Sequence, residues 1–284
     1  RTVAIISKPR PEEVREVAPQ LVEWLKSRGL RVLLDQETAQ STGRSEPSFP
    51  RDAFPEHLDL ALVVGGDGTL LAAARALVGR DVPILAVNLG ALGFLTGVTL
   101  DQMYTSLEEV LAGSAREDTR RMLQADLLRA GESLVRYHAL NDVVLNKAAI
   151  ARILDFEVNV NGELVSNYKA DGLILSTPTG STGYSMAAGG PIIFPAVHAL
   201  LVSPICSHTL NHRPLVVPDE AVVEVVVHSH KEAVFLTVDG QVGTALQHLD
   251  RLVCRRSPHS TRLIRPAAAS YFEILRSKLK WGER

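Results

Sequence analysis

The residues with the clearest chemical potential are Gly65-Gly66-Asp67-Gly68-Thr69. They follow an apolar run, Leu60 to Val64, and precede a helical pattern from about Leu70 to Val78. A strand that ends in two glycines and leads into a helix makes an anion site. Glycine lets the backbone approach closely, and the free N–H groups at the helix start face the ligand. Asp67 is the unusual member. A bare carboxylate repels a phosphate in such a cradle, yet it suits the holding of a reacting hydroxyl or of a bridging Mg²⁺. Phosphoryl transfer depends mainly on positioning and charge neutralisation, so a carboxylate that orients an attacking hydroxyl is sufficient chemistry. The structural alternative is that Asp67 or Thr69 caps the helix. Neither a G-x-x-x-x-G-K-[ST] loop nor a G-x-G-x-x-G fingerprint occurs at this turn.

A second stretch runs from Lys169 through Asp171 and the hydroxyl-rich Ser176-Thr177-Pro178-Thr179-Gly180-Ser181-Thr182-Gly183-Tyr184-Ser185-Met186-Ala187 to Gly189-Gly190-Pro191. It reads as a strand, a polar turn, a short helix and a stop. Its neutral donors and acceptors suit a hydroxyl-bearing ligand better than a lipid; a Ser/Thr loop that caps its own helix is the plainer alternative.

The Gly-Gly-Asp-Gly turn resembles that of a kinase superfamily that holds NAD kinases, diacylglycerol and sphingosine kinases, and phosphofructokinases. Together with Asn141-Asp142 and Asp239-Gly240-Gln241, the Lys169–Pro191 stretch resembles the NAD kinase family in particular. Asn88-Leu89-Gly90-Ala91-Leu92-Gly93-Phe94-Leu95-Thr96, His208-Thr209-Leu210, Arg213-Pro214-Leu215-Val216 and Lys278-Leu279-Lys280-Trp281 carry the same likeness. The resemblance implies a phosphoryl transfer from ATP or polyphosphate to the 2′-hydroxyl of the adenosine ribose of NAD, with Mg²⁺ carried by the donor's phosphates. It implies a catalytic role for Asp67, with Gly65, Gly66, Gly68 and Thr69 along the donor. Asn141 and Asp142 would contact adenine and ribose hydroxyls. Arg152, Lys169 and Asp171 would add nucleotide contacts, Thr182 to Ala187 would close over the dinucleotide, and Gln241 would make a last contact. It also implies an N-terminal α/β domain, a C-terminal β-sandwich with the site in the cleft, and a homodimer or homotetramer. Three positions depart from the family's habit: Asp142 stands where many members have Glu, Gly183 where Ala is usual, and Lys169 where bacterial relatives often have Arg. The last exchanges a bidentate fork for a point charge.

The elements that must position these residues change character along the chain. Up to about residue 120, apolar runs alternate with helical patterns: Val3–Ile6, a helix over 11–28 with Pro11 in its first turn, Leu30–Leu34, Leu60–Val64, then Ile84–Val87. That rhythm predicts a doubly wound parallel sheet with ligands at the carboxyl ends of its strands. Three prolines and many polar residues predict a surface loop over 39–57. Residues 121–265 alternate apolar and polar side chains, as in Phe156, Val158 and Val160 before the hairpin signal Asn161-Gly162, and predict a mostly antiparallel domain. Further strands are expected over Ala221–Val227, Ala233–Val238 and Arg251–Cys254. A last helix, Tyr271–Trp281, with Phe272, Leu275 and Leu279 on one stripe, is expected to dock on the first domain.

The chain has 284 residues, 46% of them hydrophobic, and a formal charge of −2. No basic excess exists for a nucleic-acid backbone. No apolar run reaches the roughly 18–20 residues of a membrane span. Cys206 and Cys254 form no disulfide framework or zinc motif. These features lead to the expectation of a cytoplasmic protein without nucleic-acid or membrane partners. The chain opens on Arg1 rather than Met, so residues before it are expected, and its start has no signal-peptide pattern. His208 and His212 lie four apart but among prolines, which argues against metal; His228 and His230 read as solvated, and Cys254 as a buried core residue. A lipid kinase with the same turn would need a greasy pocket near residues 140–190. An NADP(H) sensor without chemistry would not need Asp67.

Overall fold

The computed structural model describes residues 1–8, 12–90, 93–147, 153–209, 211–229, 234–265 and 270–282. Arg152, Pro11, Ala91, Leu92, Leu210, His230, Ala233 and Arg284 therefore lie outside the described residues. The chain divides into two compact units, residues 1–119 with 261–284, and residues 120–260.

The first unit begins with strand β1 (Thr2–Ser7), helix α1 (Glu12–Ser27), β2 (Arg31–Asp35), α2 (Gln36–Thr42) and β3 (Ser48–Phe49). It continues with β4 (Leu60–Val64), α3 (Asp67–Ala76), β5 (Pro83–Asn88), β6 (Val98–Thr99) and α4 (Met103–Ala112). The strands pair in parallel in the order β3-β2-β1-β4-β5. Residues 262–264 of a later strand lie parallel to β5. β4 is buried along its whole length, as a strand covered on both faces must be. The order runs outward from β1 to β3 on one side and from β4 to β5 on the other. The reversal falls between β1 and β4, and the crevice at their carboxyl ends is where such sheets bind ligands.

The expected loop over 39–57 is corrected. Asp35 caps α2 by accepting from Thr38 N, and Ser48–Phe49 adds a short parallel strand. Arg51 holds the segment down through Asp35 Oδ2 at 2.7 Å and the Ser7 carbonyl at 2.7 Å. The final helix α6 (Tyr271–Leu279) has a capping box at Ser270 and Glu273. Its buried residues are Ile274 and Leu275, whereas Phe272 is 56% exposed, so the expected stripe is rotated.

The second unit is built from most of β7 (Arg116–Arg129), then β8 (Glu132–Ala139), β9 (Asp142–Lys147), β10 (Leu154–Val160), β11 (Glu163–Ala170) and β12 (Gly172–Ser176), and it ends within the last strand at residue 260. A 3₁₀ turn (Thr179–Thr182), α5 (Tyr184–Ala187), β13 (Ala199–Ile205), β14 (Leu215–Pro218), β15 (Val223–Val227), β16 (Val234–Val238), β17 (Val242–Leu246) and β18 (Arg251–Arg265) complete it. One sheet runs β14-β13-β12-β9-β16-β17, all antiparallel. The other contains β11-β10-β15-β18 and the β7–β8 hairpin. Alternate residues from both sheets (Val143 and Leu145, Phe156 and Val158, Leu173 and Leu175, Val223 and Val225, Leu236 and Val238) meet in one core, which is how a sandwich fills its interior. The hairpin forms at Asn161 and Gly162, both at positive φ.

β18 is much longer than the expected Arg251–Cys254 strand. Its first residues pair with β15 and its last with β5. Phe156 is fully buried in the sandwich core. Phe156→Ala is expected to destabilise the protein by about 3–5 kcal/mol, read as a lower urea midpoint.

Candidate active site

The Gly-rich turn follows β4 at the β1/β4 crevice. Gly65 N donates to Val87 O at 2.9 Å, which ties the turn to β5. A Cβ on Gly65 would stand 2.5 Å from Thr69 Oγ1 and 3.3 Å from Lys8 Cβ, so glycine is required for this close packing. Thr69 is buried beneath it. The N-cap of α3 is Gly66, which makes no side-chain cap bond, so the capping alternative for Asp67 and Thr69 does not hold. Lys8 follows β1, is exposed, and stands beside the turn.

The Asp67 carboxylate points away from its own helix. Oδ2 accepts from Phe94 N at 2.9 Å; Oδ1 accepts from Leu95 N at 3.2 Å, Thr96 N at 2.9 Å and Thr96 Oγ1 at 2.9 Å. Three successive N–H groups thus converge on one carboxylate. Asn88 Nδ2 donates to Thr96 Oγ1 at 2.8 Å, and Arg265 Nη1 donates to Leu95 O at 2.9 Å, which fixes the segment from both sides. Gly93 makes room: a Cβ there would stand 2.6 Å from Asp67 Cγ and 2.5 Å from Thr96 Oγ1. The Asn88–Thr96 stretch therefore has a role that its sequence did not disclose.

In the second unit, Asn141 and Asp142 occupy a backbone held on every side. Asp239 Oδ1 accepts from Asn141 N at 2.8 Å and Asp142 N at 3.2 Å, and Oδ2 accepts from Leu140 N at 3.3 Å. The carbonyls are taken too. Thr177 Oγ1 donates to Leu140 O at 2.6 Å, Thr177 N donates to Asn141 O at 2.9 Å, and Asp239 N donates to Asp142 O at 2.9 Å. Backbone satisfaction is complete, which leaves the two side chains for other work. Asn141 Oδ1 is buried and accepts no hydrogen bond from a described residue. The Asp142 carboxyl is pushed up to about 7, first by burial and then by the charge of Asp239.

The hydroxyl-rich turn packs directly on this pair. Gly180 lies so close to the Asn141 backbone that its Cβ would stand 2.5 Å from Asn141 C. A Cβ on Gly183 would lie 3.7 Å from Asn141 Nδ2, 3.9 Å from Asp142 Oδ2 and 3.2 Å from Gly180 O, so an alanine needs only a small adjustment there. Ser185 is fully buried and shares a 2.9 Å hydrogen bond with Ser203. Thr182 is buried, Tyr184 is 41% exposed and Ala187 is exposed, with Met186 half-buried. Asp171 is paired with Lys147 at 2.7 Å, a partner the motif did not reveal. Lys169 and Gln241 are exposed. Arg152 lies outside the described residues.

The features set aside fall elsewhere. His212 hydrogen-bonds Ser166 and Ser207 and stacks against Tyr168, and His228 faces Glu157. Cys254 is fully buried. A cavity of about 220 Å³ opens at the amino ends of β1, β4 and β5, the end opposite the Gly-rich turn.

A doubly wound unit with a carboxylate in a Gly-Gly-Asp-Gly turn, and a β-sandwich unit with a polar Asn–Asp pair, define a kinase of the Gly-Gly-Asp-Gly class. Residues 3–115 match the ATP-NAD kinase N-terminal domain, and residues 140–266 match the ATP-NAD kinase C-terminal domain. The chain belongs to the ATP-NAD kinase family. It is 51% identical to an NAD kinase of Koribacter versatilis over 100% of this chain and 99% of that protein. It is 48% identical to an NAD kinase of Syntrophotalea carbinolica over 100% of both. Among solved structures, yeast NADH kinase complexed with NADH matches with a TM-score of 0.90 and 26% identity, covering 100% of this chain and 89% of that one. An Archaeoglobus fulgidus NAD kinase in complex with ATP shares the fold, with a TM-score of 0.77, 23% identity and coverage of 99% of both chains.

Gly93→Ala is expected to expel the Asp67 carboxylate from its three N–H donors. NADP formation should fall at least about 100-fold, in line with the loss of one positioned catalytic group, while the circular dichroism spectrum stays native. Near-normal turnover would remove the functional meaning of the close approach.

Proposed function

We propose that this chain transfers the terminal phosphoryl group of ATP to the 2′-hydroxyl of the adenosine ribose of NAD, giving NADP. The observation that carries the reading is the family match over residues 3–115 and 140–266 together with a fixed Asp67 in the Gly-Gly-Asp-Gly turn. Asp67 accepts the hydrogen bond of the 2′-hydroxyl and orients it for attack. Among the described residues its Oδ2 takes a single hydrogen bond, from Phe94 N, and so keeps capacity for a further donor. The turn at Gly65, Gly66 and Gly68 and the start of α3 receive the donor's phosphates, with Lys8 beside them as a charge of the right sign.

Asp67 is also the carboxylate that would help hold a divalent ion such as Mg²⁺, which would supply neutralisation of phosphate charge. Asn141 and Asp142 take adenine and ribose. The buried Asn141 Oδ1 offers an acceptor to an exocyclic amine, and Asp142 offers its oxygens to hydroxyl groups. Thr182 to Ala187, Lys169, Asp171, Arg152 and Gln241 complete the dinucleotide contacts. The protein works in the cytoplasm, a reading supported by two free thiols. It works as a homodimer or homotetramer, a reading supported by Leu164 and Val165, exposed on the edge strand β11. No helix among the described residues is long and apolar enough to cross a membrane.

The test is direct. Incubated with NAD, Mg²⁺ and either ATP or polyphosphate, the protein should form NADP, and the comparison of donors fixes the second substrate. Asp67→Asn should lower turnover by roughly 10²–10⁴-fold and leave the NAD dissociation constant within about threefold. Near-normal NADP formation by that variant would overturn the catalytic assignment.

A further inference from the structure

Asp239 lies in the turn between β16 and β17, is 7% exposed, and has a positive φ of 49°. A non-glycine residue in that region is unusual, and a short polar side chain is the kind that tolerates it. The conformation sends the carboxylate back along β9, past the last ladder pair, Val238 with Val143. There it collects the N–H groups of Leu140, Asn141 and Asp142, while its own N–H reaches Asp142 O. The side chain extends the sheet where the backbone ladder stops.

We infer that Asp239 is a positioning residue for NAD: its carboxylate fixes the backbone of Leu140, Asn141 and Asp142 and places a negative charge near the Asp142 side chain. The inference rests on the reading of Asn141 and Asp142 as NAD-binding residues. An aspartate suits the task better than an asparagine, because an amide can present only one oxygen to three N–H groups and turns its NH₂ toward the remainder.

The second half of the inference concerns Asp142, which is 6% exposed. The groups packed against it are Ser176 opposite on β12, Gly183 at the end of the 3₁₀ turn, and Asn141 beside it, all uncharged. Asp239 from the β16–β17 turn is the charged group acting on it. Burial and that neighbouring charge both disfavour the ionised form, so the carboxyl is pushed up to about 7. Below that pH Asp142 carries a proton and loses its capacity as a pure acceptor; above it the carboxylate is formed. If the ionised form binds the ribose diol, NAD binding weakens as pH falls through about 7.

The experiment measures KM for NAD and kcat from pH 5.5 to 9 at saturating ATP and Mg²⁺. For the wild-type protein KM should rise about tenfold per pH unit below the break, as titration of one group requires. In Asp239→Asn the break should move at least one pH unit toward acid, with KM at pH 8.5 raised several-fold by the loosened backbone. Asp142→Asn should abolish the break.

A merely structural Asp239 would change the amount of folded enzyme and leave the break where it was, and that result overturns the inference. If Asp239→Asn does not fold, the carboxyl carbon of Asp142, followed by NMR in the wild-type protein without substrates, carries the test. A midpoint near 7 supports the inference, and one in the ordinary carboxylate range overturns it. Failure of the kinase reading is separately visible, because wild-type protein would then form no NADP at any pH.

Discussion

A loop that must present side chains to a ligand needs its own backbone held by something other than a regular ladder. Here the holding group is a carboxylate, used twice in the same way. Asp67 gathers the N–H groups of 94–96, and Asp239 gathers those of 140–142. Hydrogen bonds to an ionised acceptor are roughly twice as strong as neutral ones. Loss of such an acceptor leaves buried N–H groups at about 1–3 kcal/mol each. Three such donors on one carboxylate make the local conformation cooperative, so the segment is fixed as a unit.

The consequences differ because the two carboxylates differ in position. Asp67 is itself the group proposed to act in the reaction, so the bonds that fix the 94–96 segment also fix the oxygen atoms of that carboxylate. A carboxylate that already receives three N–H donors and a hydroxyl is held in one orientation. Its fitness is geometric, which suits a phosphoryl transfer that asks for alignment. Asp239 acts at one remove. It leaves Asn141 and Asp142 with satisfied backbones and side chains that are committed to little else, which is the condition their proposed role in recognition requires.

Local patterns in the sequence disclosed the parts of this arrangement that local physics creates. The glycine turn after an apolar run, the parallel βα rhythm and the Asn161-Gly162 hairpin all depend on neighbours in the chain. Helix α2 was missed because its signal is a single capping aspartate, Asp35, in a segment whose prolines and polar residues read as loop. β18 outruns the expected Arg251–Cys254 strand because its continuation depends on a partner, β5, some 180 residues away in sequence. The exposed Phe272 has the same lesson: apolar spacing suggested one face for α6, and packing chose Ile274 and Leu275.

The site was legible as residue types and illegible as roles. Asp239-Gly240-Gln241 was a recognisable string, but nothing in it says that Asp239 has a positive φ or that its carboxylate reaches three residues nearly a hundred positions earlier. Gly93 likewise reads as a turn glycine, whereas the structure makes it a clearance for the Asp67 carboxylate. Gly183 works in the opposite direction. A Cβ there would meet its nearest neighbour, the Gly180 carbonyl oxygen, at 3.2 Å, a far milder approach than the 2.6 Å to Asp67 Cγ at Gly93. Glycines that look alike in the chain thus differ in what a side chain would meet, and only the distances to neighbouring atoms tell them apart.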